Sequence, residues 1–578
     1  MKEFFSNLKF TWPYIKKQKK NLIVYLISDL VIALISIVAP ILSAKIIINL
    51  TNNEFTQLIV VAATIFGIEI LRNIAYYVSS YNLQKVYRES FIRLQTELGR
   101  ETLKIENKSI DANSSGVFIQ RLSSDTSRIA DIFEILIRHL SEIIAEIGIF
   151  AAIFIVNKLV FIYVVFTVII LFLINKRQTN LYTKKDKEMR KKQEKVTGFV
   201  GELVRGIRDI KMLNAEDSFI EELNLRITEH NNDKYEMGNI RRKYNLLSGS
   251  FSDLFDLLLI VLLVYLIINN KILVANALII YNYSSRVGSI IYAINSLMEQ
   301  IKDYNLSCTR VFAILKSDEF KKEKFGTVHL EKVNGDFEFK NVTFSYDDNK
   351  VLDNLSFKIN ANETVAFVGK SGVGKSTIFN LLCKMYEIES GKILIDGYDI
   401  NTLDKDTIRG NITIISQQPY IFNMSVRENL RLVKKDLTEE EMVEACKLAC
   451  LHDFILSLPD GYDTVIGEGG VNLSGGQRQR MAIARALVQK TEIILFDEAT
   501  SALDNETQNS IQKAIDNMKN EYTILIIAHR LSTIINSDRI ILIDDGKIVG
   551  EGTHQELMQS SQFYRDLYNS ELENNEKA

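Results

Sequence analysis

The chain has 578 residues, 47% hydrophobic and 24% charged, with formal net charge −3 and only 4 Pro beside 27 Gly. At roughly 100–200 residues per domain, that length implies several domains, and so little Pro excludes a collagenous or Pro/Gly-rich disordered chain. Near-neutral charge argues against a nucleic-acid binder. Cys308, Cys383, Cys446 and Cys450 include no Cys-x-x-Cys pair, so buried free thiols are expected rather than a zinc site or disulfide framework.

Mean hydropathy is +0.03, an average over two unlike halves. Six apolar runs, approximately 22–48, 56–79, 133–156, 159–174, 247–268 and 272–297, approach the ~20 residues needed to span ~30 Å of hydrocarbon. The fourth is short, with Asn175 and Lys176 positioned to snorkel at its end. The first is too long for a signal-peptide core and no small-residue cleavage site follows it, so it is expected to stay in the protein.

Lys and Arg set the orientation. Lys2, Lys9, Lys16, Lys17, Lys19 and Lys20 precede the first run, whereas 49–57 holds neither residue type. Segments 80–132 and 175–246 are basic, while Asn157-Lys158 and Asn269-Asn270-Lys271 are minimal turns. This alternation puts both termini and both long connections in the cytoplasm. The connections are rich in Glu, Lys, Leu and Arg, and read as helical continuations of the spans. Each has a local break, DANSSG at 111–116 and NAED at 214–217. Only about 20 residues precede the first run, which leaves no room for an N-terminal peptidase.

The second half carries nucleotide chemistry. Thr364–Val368 reads as a buried strand, followed by Gly369-Lys370-Ser371-Gly372-Val373-Gly374-Lys375-Ser376, a G-x-x-x-x-G-K-[ST] phosphate loop. Its glycines let backbone N–H groups turn toward phosphate oxygens, and the cradle extends to Thr377. Lys375 is expected on the β/γ-phosphates and Ser376 on Mg²⁺. Ile493–Glu498 is an apolar strand ending in two carboxylates. Asp497 is expected to hold Mg²⁺, and Glu498 to orient and polarise the attacking water. A further strand, 524–530, delivers His529 toward the γ-phosphate. At Leu473-Ser474-Gly475-Gly476-Gln477, Ser474 is a helix cap and the glycines expose N–H groups at a positive helix end. One nucleotide needs only one phosphate loop, so this second surface implies a nucleotide sandwiched between two chains.

These motifs, in this order, make the chain resemble an ABC transporter of the exporter type (type IV fold). In such a half-transporter a six-helix transmembrane bundle with long cytoplasmic extensions is fused to one α/β P-loop ATP-binding domain. The resemblance implies ATP and Mg²⁺ as cofactors. Tyr346 would stack on adenine, Gln417 would sense Mg²⁺ and couple to the membrane domain, 467–470 would be the exporter-specific loop, and LSGGQ at 473–477 the signature. Ser501–Asp504 would link the two sites, and the two breaks would be coupling helices. Ranges follow: 1–21 an N-terminal elbow, 22–316 the transmembrane domain, 317–335 a linker, 336–574 the nucleotide-binding domain. All catalytic positions match the pattern, so a homodimer with two competent sites is expected; pairing with a degenerate partner in a heterodimeric multidrug exporter is the alternative. An Ile-, Asn- and Lys-rich composition points to a low-GC bacterium, hence to a bacterial plasma membrane.

Ionisable residues within spans are costly and usually functional. Here they are Asp29, Glu69, Arg72, Glu142, Glu146, Asp253, Asp256 and Arg286. Glu134, Arg138, Glu142 and Glu146 repeat every four residues along one helix face. Two readings stand: internal ion pairs such as Glu69–Arg72 and Arg286–Asp256, or an acidic cavity selecting a cationic amphipathic drug or peptide, with Tyr76, Tyr77, Tyr81, Tyr281, Tyr283 and Tyr292 adding cation–π contacts. A lipid flippase is the alternative function; few basic residues in the spans argue against anionic lipids.

Overall fold

The computed structural model describes residues 2–113, 115–287, 289–316, 319–347, 349–417, 419–467, 470–497, 505–527 and 535–577, with backbone alone at 183, 184, 187, 190, 191, 194, 285–287, 289, 292, 505–511 and 571–577. Two compact units form, Met1–Leu103 with Ser114–Glu319, and Lys104–Asn113 with Phe320–Ala578.

The first unit is helical. Its main helices are α1 (Lys2–Ile15), α2 (Lys19–Thr51) and α3 (Phe55–Thr102); α4 (Asn107–Asp111) belongs to the second unit; then come α5 (Ile132–Val156), α6 (Lys158–Arg205), α7 (Ile207–Met212), α8 (Glu216–Ile268), α9 (Val274–Val287) and α10 (Ser289–Lys316). Among the described residues, five helical stretches are long and apolar enough to cross a membrane: Lys2–Thr51, Phe55–Thr102, Ser115–Val156, Lys158–Tyr182 and Glu216–Ile268. The sixth apolar run falls in α9 and α10, on either side of Gly288, which is outside the described residues. Helices α3 and α6 have 48 residues each and α8 has 53. At 1.5 Å per residue they reach about 72–80 Å, more than twice the ~30 Å hydrocarbon thickness. The long connections therefore continue the spanning helices.

Asparagine sets the corners. Asn53, Asn214 and Asn270 take φ of +59°, +52° and +54°, a left-handed conformation that Asn tolerates through local hydrogen bonding. At the minimal turn before α6, the Asn157 side chain accepts from the Leu159 and Val160 N–H groups at 3.0 and 3.2 Å, capping the helix. Buried tyrosines tie helices together: Tyr283 donates to the Ile37 carbonyl and Tyr163 to the Phe255 carbonyl, both at 2.6 Å.

The second unit is α/β. Its strands are β1 (Phe337–Tyr346), β2 (Asn349–Ile359), β3 (Thr364–Val368), β4 (Ser390–Ile395), β5 (Tyr398–Asp399), β6 (Ile412–Ile415), β7 (Met424–Ser425), β8 (Val465–Ile466), β9 (Ile493–Asp497), β10 (Thr523–Ile527), β11 (Arg539–Asp544) and β12 (Lys547–Gly552). The main sheet has the order β12-β11-β3-β10-β9-β6, parallel except for β12; an antiparallel sheet has the order β2-β1-β4-β5. Strands β3 and β10 are buried along their whole length, as continuous apolar runs covered on both faces should be.

Of the expected linker 317–335, the described part from Phe320 is packed rather than free. Phe320 is fully buried, Lys322 bridges to Ile105, and Val328 bridges to Leu403. Glu323 grips Arg409, on helix Lys405–Asn411, through two bonds of 2.9 and 2.6 Å. Both side chains are largely shielded, so removing one strands the other's charge. Arg409→Ala is expected to cost about 2 kcal/mol, discounted from the fully buried case for partial solvent access. A lowered first unfolding transition of the purified protein is the readout, and an unchanged transition would show this clamp to be inconsequential.

Candidate functional site

The phosphate loop leaves the C-terminal end of β3, at the centre of the main sheet. An ideal Cβ on Gly369 would lie 2.2 Å from the Ile543 carbonyl oxygen, so only glycine fits there. Gly374 has φ +101°, and a Cβ on it would meet Leu352 Cδ2 at 2.8 Å. The loop opens α11 (Lys375–Leu382), whose N-cap Gly374 makes no side-chain cap bond. The first N–H groups of α11 are therefore left for a bound anion. Lys375 is buried and donates to the Gly369 and Lys370 carbonyls at 2.8 Å each. The loop thus holds its ammonium at the cradle's rim. Ser371 and Gly372 form the turn, and Thr377 is buried in the first turn of α11.

Ser376 donates to Asp497 Oδ1 at 3.0 Å. Sheet register explains the meeting: Ile527 of β10 pairs with Phe367 of β3 on one side and Asp497 of β9 on the other. The ends of the three strands lie level beside the loop. Glu498, Asp504 and His529 follow these strand ends but lie outside the described residues, as do Glu468 and Gly469 of the 467–470 loop.

Tyr346 ends β1 and is half-buried, its ring edge-on to Phe344 at 4.8 Å and to Tyr386 at 5.2 Å. The Tyr386 hydroxyl donates to the Asp111 carboxylate, and Lys108 pairs with Asp347 at 3.1 Å. Burial, reinforced by Asp111, raises the Tyr386 phenol above its usual range. The helix α4, which ends at Asp111 where the first sequence break begins, thus packs on the aromatic corner beside Tyr346.

Ser474 caps α13 (Gly475–Gln489; Lys405–Asn411 being α12). Its hydroxyl accepts from the Gln477 N–H at 3.2 Å, while its own N–H donates to Gln477 Oε1 at 2.7 Å, a reciprocal capping box. Gly475 and Gly476 occupy the first turn. From the same helix, Gln479 donates to the Gln417 carbonyl at 3.3 Å. This link between the signature helix and the Gln417 loop has no marker in the motif itself. Burial pushes the Cys383 thiol to about 12 and the Cys446 thiol to about 11, which leaves both as small apolar groups behind the site.

In the first unit, helices α2, α3, α5 and α10 enclose a cavity of about 730 Å³. Its ionisable lining is Asp29, Arg138, His139, Glu142 and Glu146, with Tyr76. His139 Nδ1 lies 2.8 Å from Glu142 Oε2, and Gln300 Nε2 lies 3.2 Å from His139 Nε2. Of the eight ionisable span residues named from the sequence, Asp29, Glu142 and Glu146 line it. Glu69 and Arg72 do not: one turn apart on α3, they pair with each other at 2.6 Å. Asp253 and Asp256 are on α8, away from this lining, and the Arg286 side chain is outside the described residues. Of the tyrosines, Tyr76 lines the cavity, whereas Tyr283 is fully buried on the Ile37 carbonyl. His139 and Gln300 carry no sequence signal beyond being polar in an apolar run.

Family models match both halves: the ABC transporter transmembrane region over residues 22–289 and the ABC transporter model over 352–501. A model for the RsgA GTPase matches 270–397, a stretch that includes the phosphate loop. An ATP-dependent lipid A-core flippase of Haemophilus influenzae is 32% identical over 98% of this chain and 97% of its own length. The flippase of that name from Escherichia coli K12 is 30% identical over 96% of both chains.

The chain belongs to the ABC transporter family. It is an exporter-type half-transporter, a multi-pass membrane protein that binds ATP and couples its hydrolysis to transport. YgaD of Bacillus subtilis, named provisionally as a multidrug export ATP-binding/permease protein, is 34% identical over 64% of this transporter and 65% of its own length. In the transporter the loop of 369–376 and the capped helix at Ser474 are built on one ATPase unit, and the acidic cavity on the membrane unit.

Proposed function

We propose that two copies of this half-transporter form a closed two-fold homodimer in a bacterial plasma membrane, termini in the cytoplasm, and export an amphipathic, cationic drug or peptide by alternating access. The carrying observation is the charge of the cavity: Asp29, Glu142 and Glu146 against Arg138. Arg138 is itself drawn to Glu134 at 3.3 Å. Tyr76 adds a π face for a cation. A twofold assembly is supported by the tip after α7, where Met212 and Leu213 are 82% and 76% exposed in the single chain, apolar surface that a partner would cover.

At the nucleotide, Ser376, Asp497 and Gln417 would hold Mg²⁺, whose charge would offset that of the phosphates; the Ser376–Asp497 oxygen pair suits this hard cation. Gly369, Ser371, Gly372, Gly374, Lys375 and Thr377 would cradle the phosphates and Tyr346 would take the adenine. Ser474, Gly475, Gly476 and Gln477 of the partner copy would close over the γ-phosphate. Glu498 would position water, His529 would contact the γ-phosphate, and Asp504 would link the two sites. ATP would favour the closed pair, and hydrolysis would release it.

ATPase stimulation in nanodiscs tests the cargo. A hydrophobic quaternary ammonium compound is expected to stimulate wild type. In Glu142→Gln/Glu146→Gln its half-maximal concentration is expected to rise about tenfold or more, at roughly 1 kcal/mol per partly solvated charge, with basal turnover unchanged. Equal response in both proteins would remove the acidic cavity from cargo recognition. A second reading, lipid translocation, is favoured by the names of the relatives; stimulation by lipid and not by the cation would establish it.

A further inference from the structure

Two side chains of α13 reach across to the segment that follows β6. Ile415, the last residue of β6, pairs with Phe496 of β9, so β6 ends beside the strand that carries Asp497. Gln417 stands two residues farther on and is exposed. Gln479 of α13 donates from Nε2 to the Gln417 carbonyl at 3.3 Å. Arg485 of the same helix donates from Nη1 to the Tyr420 carbonyl at 2.9 Å, and from Nε to the Asn429 carbonyl at 3.2 Å. From Gln479 to Arg485 a helix rises about 9 Å. Three extended residues, from Gln417 to Tyr420, cover a similar ~10 Å, so one helix can fix both carbonyls.

Asn429 holds the farther part of the segment. It is fully buried, and its Nδ2 donates to the Phe422, Met424 and Ser425 carbonyls at 3.0, 3.1 and 3.0 Å. Its Oδ1 accepts from the Phe422 N–H at 3.2 Å and from Arg485 Nη2. The Arg485 guanidinium also lies over the Phe422 ring at 5.6 Å. A guanidinium presents its donors in a fixed fork, so these contacts set direction as well as distance. Gln479 is buried, and its Oε1 has no hydrogen-bond partner among the described residues. An unpaired buried amide oxygen is destabilising, and leucine, of similar size, would remove it. What glutamine adds over leucine at this position is the bond to Gln417.

We infer that Gln479 and Arg485 are positioning residues for ATP hydrolysis and act through Gln417, an inference that rests on the proposed role of Gln417 at Mg²⁺. The N-terminus of α13 carries Ser474–Gln477, which in the proposed homodimer closes on the nucleotide held by the other copy. Gln417 serves the nucleotide of its own copy. Because Gln479 and Arg485 fasten the Gln417 segment to α13, the helix and the segment move as one piece. Seating the capped end of α13 on one nucleotide then sets Gln417 against the Mg²⁺ of the other, and the two sites become competent together.

Phosphate release at varied Mg·ATP and thermal unfolding of the full-length transporter in nanodiscs supply the test. Gln417→Ala is expected to lower kcat about 10–100-fold, the range for losing a group that orients a metal site. Gln479→Leu is expected to lower kcat about tenfold. Its KM should stay within about threefold of wild type, since Lys375 and the phosphate loop are untouched, and its unfolding temperature should be no lower. Arg485→Lys keeps the charge and loses the fork, and is expected to lower kcat in the same way. In Gln417→Ala/Gln479→Leu the losses should not add, because residues that act through one another are coupled; kcat should stay within about twofold of Gln417→Ala alone. A further tenfold loss in that double variant, a Gln479→Leu kcat within about twofold of wild type, or a loss of kcat matched by a lowered unfolding temperature would each overturn the inference. An unchanged kcat in Gln417→Ala is a different failure: it would take Gln417 out of the metal site, and this inference with it.

Discussion

Glu498→Gln is expected to abolish turnover while leaving ATP bound and the two copies closed. The position follows Asp497, the last residue of β9, whose carboxylate receives the Ser376 hydroxyl at 3.0 Å. Glu498 is the next residue in sequence, and the proposed function gives it the water that attacks the γ-phosphate. Glutamine keeps the size of the carboxylate and removes its charge and its ability to take a proton from water. Loss of a general base typically costs 10²–10⁴-fold. Because Ser376, Lys375 and the loop backbone are untouched, nucleotide binding persists, and the closed state accumulates for want of the step that releases it. Phosphate release gives the rate, and the distance between spin labels on the two copies gives the closure. Residual turnover above about a tenth of wild type, outside the range expected for a lost base, would take Glu498 out of that role.

Lys375→Ala should be the second severe lesion, and it differs in kind. Lys375 is buried and donates to two loop carbonyls at 2.8 Å. Its ammonium is therefore held at the cradle before any phosphate arrives, so little reorganisation is needed when charge develops there. Removing a preorganised donor of this sort costs about 10²–10³-fold in rate. Nucleotide affinity is expected to fall as well, since in the proposed site the same cation would face the ground-state phosphates. Arginine is not expected to rescue, because its planar fork is bulkier than the compact ammonium. A fluorescent ATP analogue reports binding and phosphate release reports turnover. Glu498→Gln should lose only the second, Lys375→Ala both. Turnover within threefold of wild type in Lys375→Ala would show that the loop backbone alone suffices.

Local chemistry made much of the molecule readable before any packing was known. The phosphate loop is set by residue spacing, and the conformations at Gly369 and Gly374 agree with why glycine stands there. The cap at Ser474 needs only a hydroxyl three residues before Gln477. The corners at Asn53, Asn214 and Asn270, and the length of α3, α6 and α8, follow from turn residues and from helix formers continuing past the apolar runs.

What the sequence by itself determined, then, was everything decided within one element or one turn: spans, loop, cap and corners. Only the tertiary structure decided which faces meet. It separated Glu69–Arg72 from Glu142 and Glu146, brought Asp29 and His139 to the latter, grouped Lys104–Asn113 with the ATPase unit, and tied Gln417 to the signature helix through Gln479. The reason is physical. A spanning helix is apolar all round, since lipid and neighbouring helices are equally apolar. No hydrophobic stripe then reveals its rotation, and the face that a charged residue occupies is fixed by several helices packing at once.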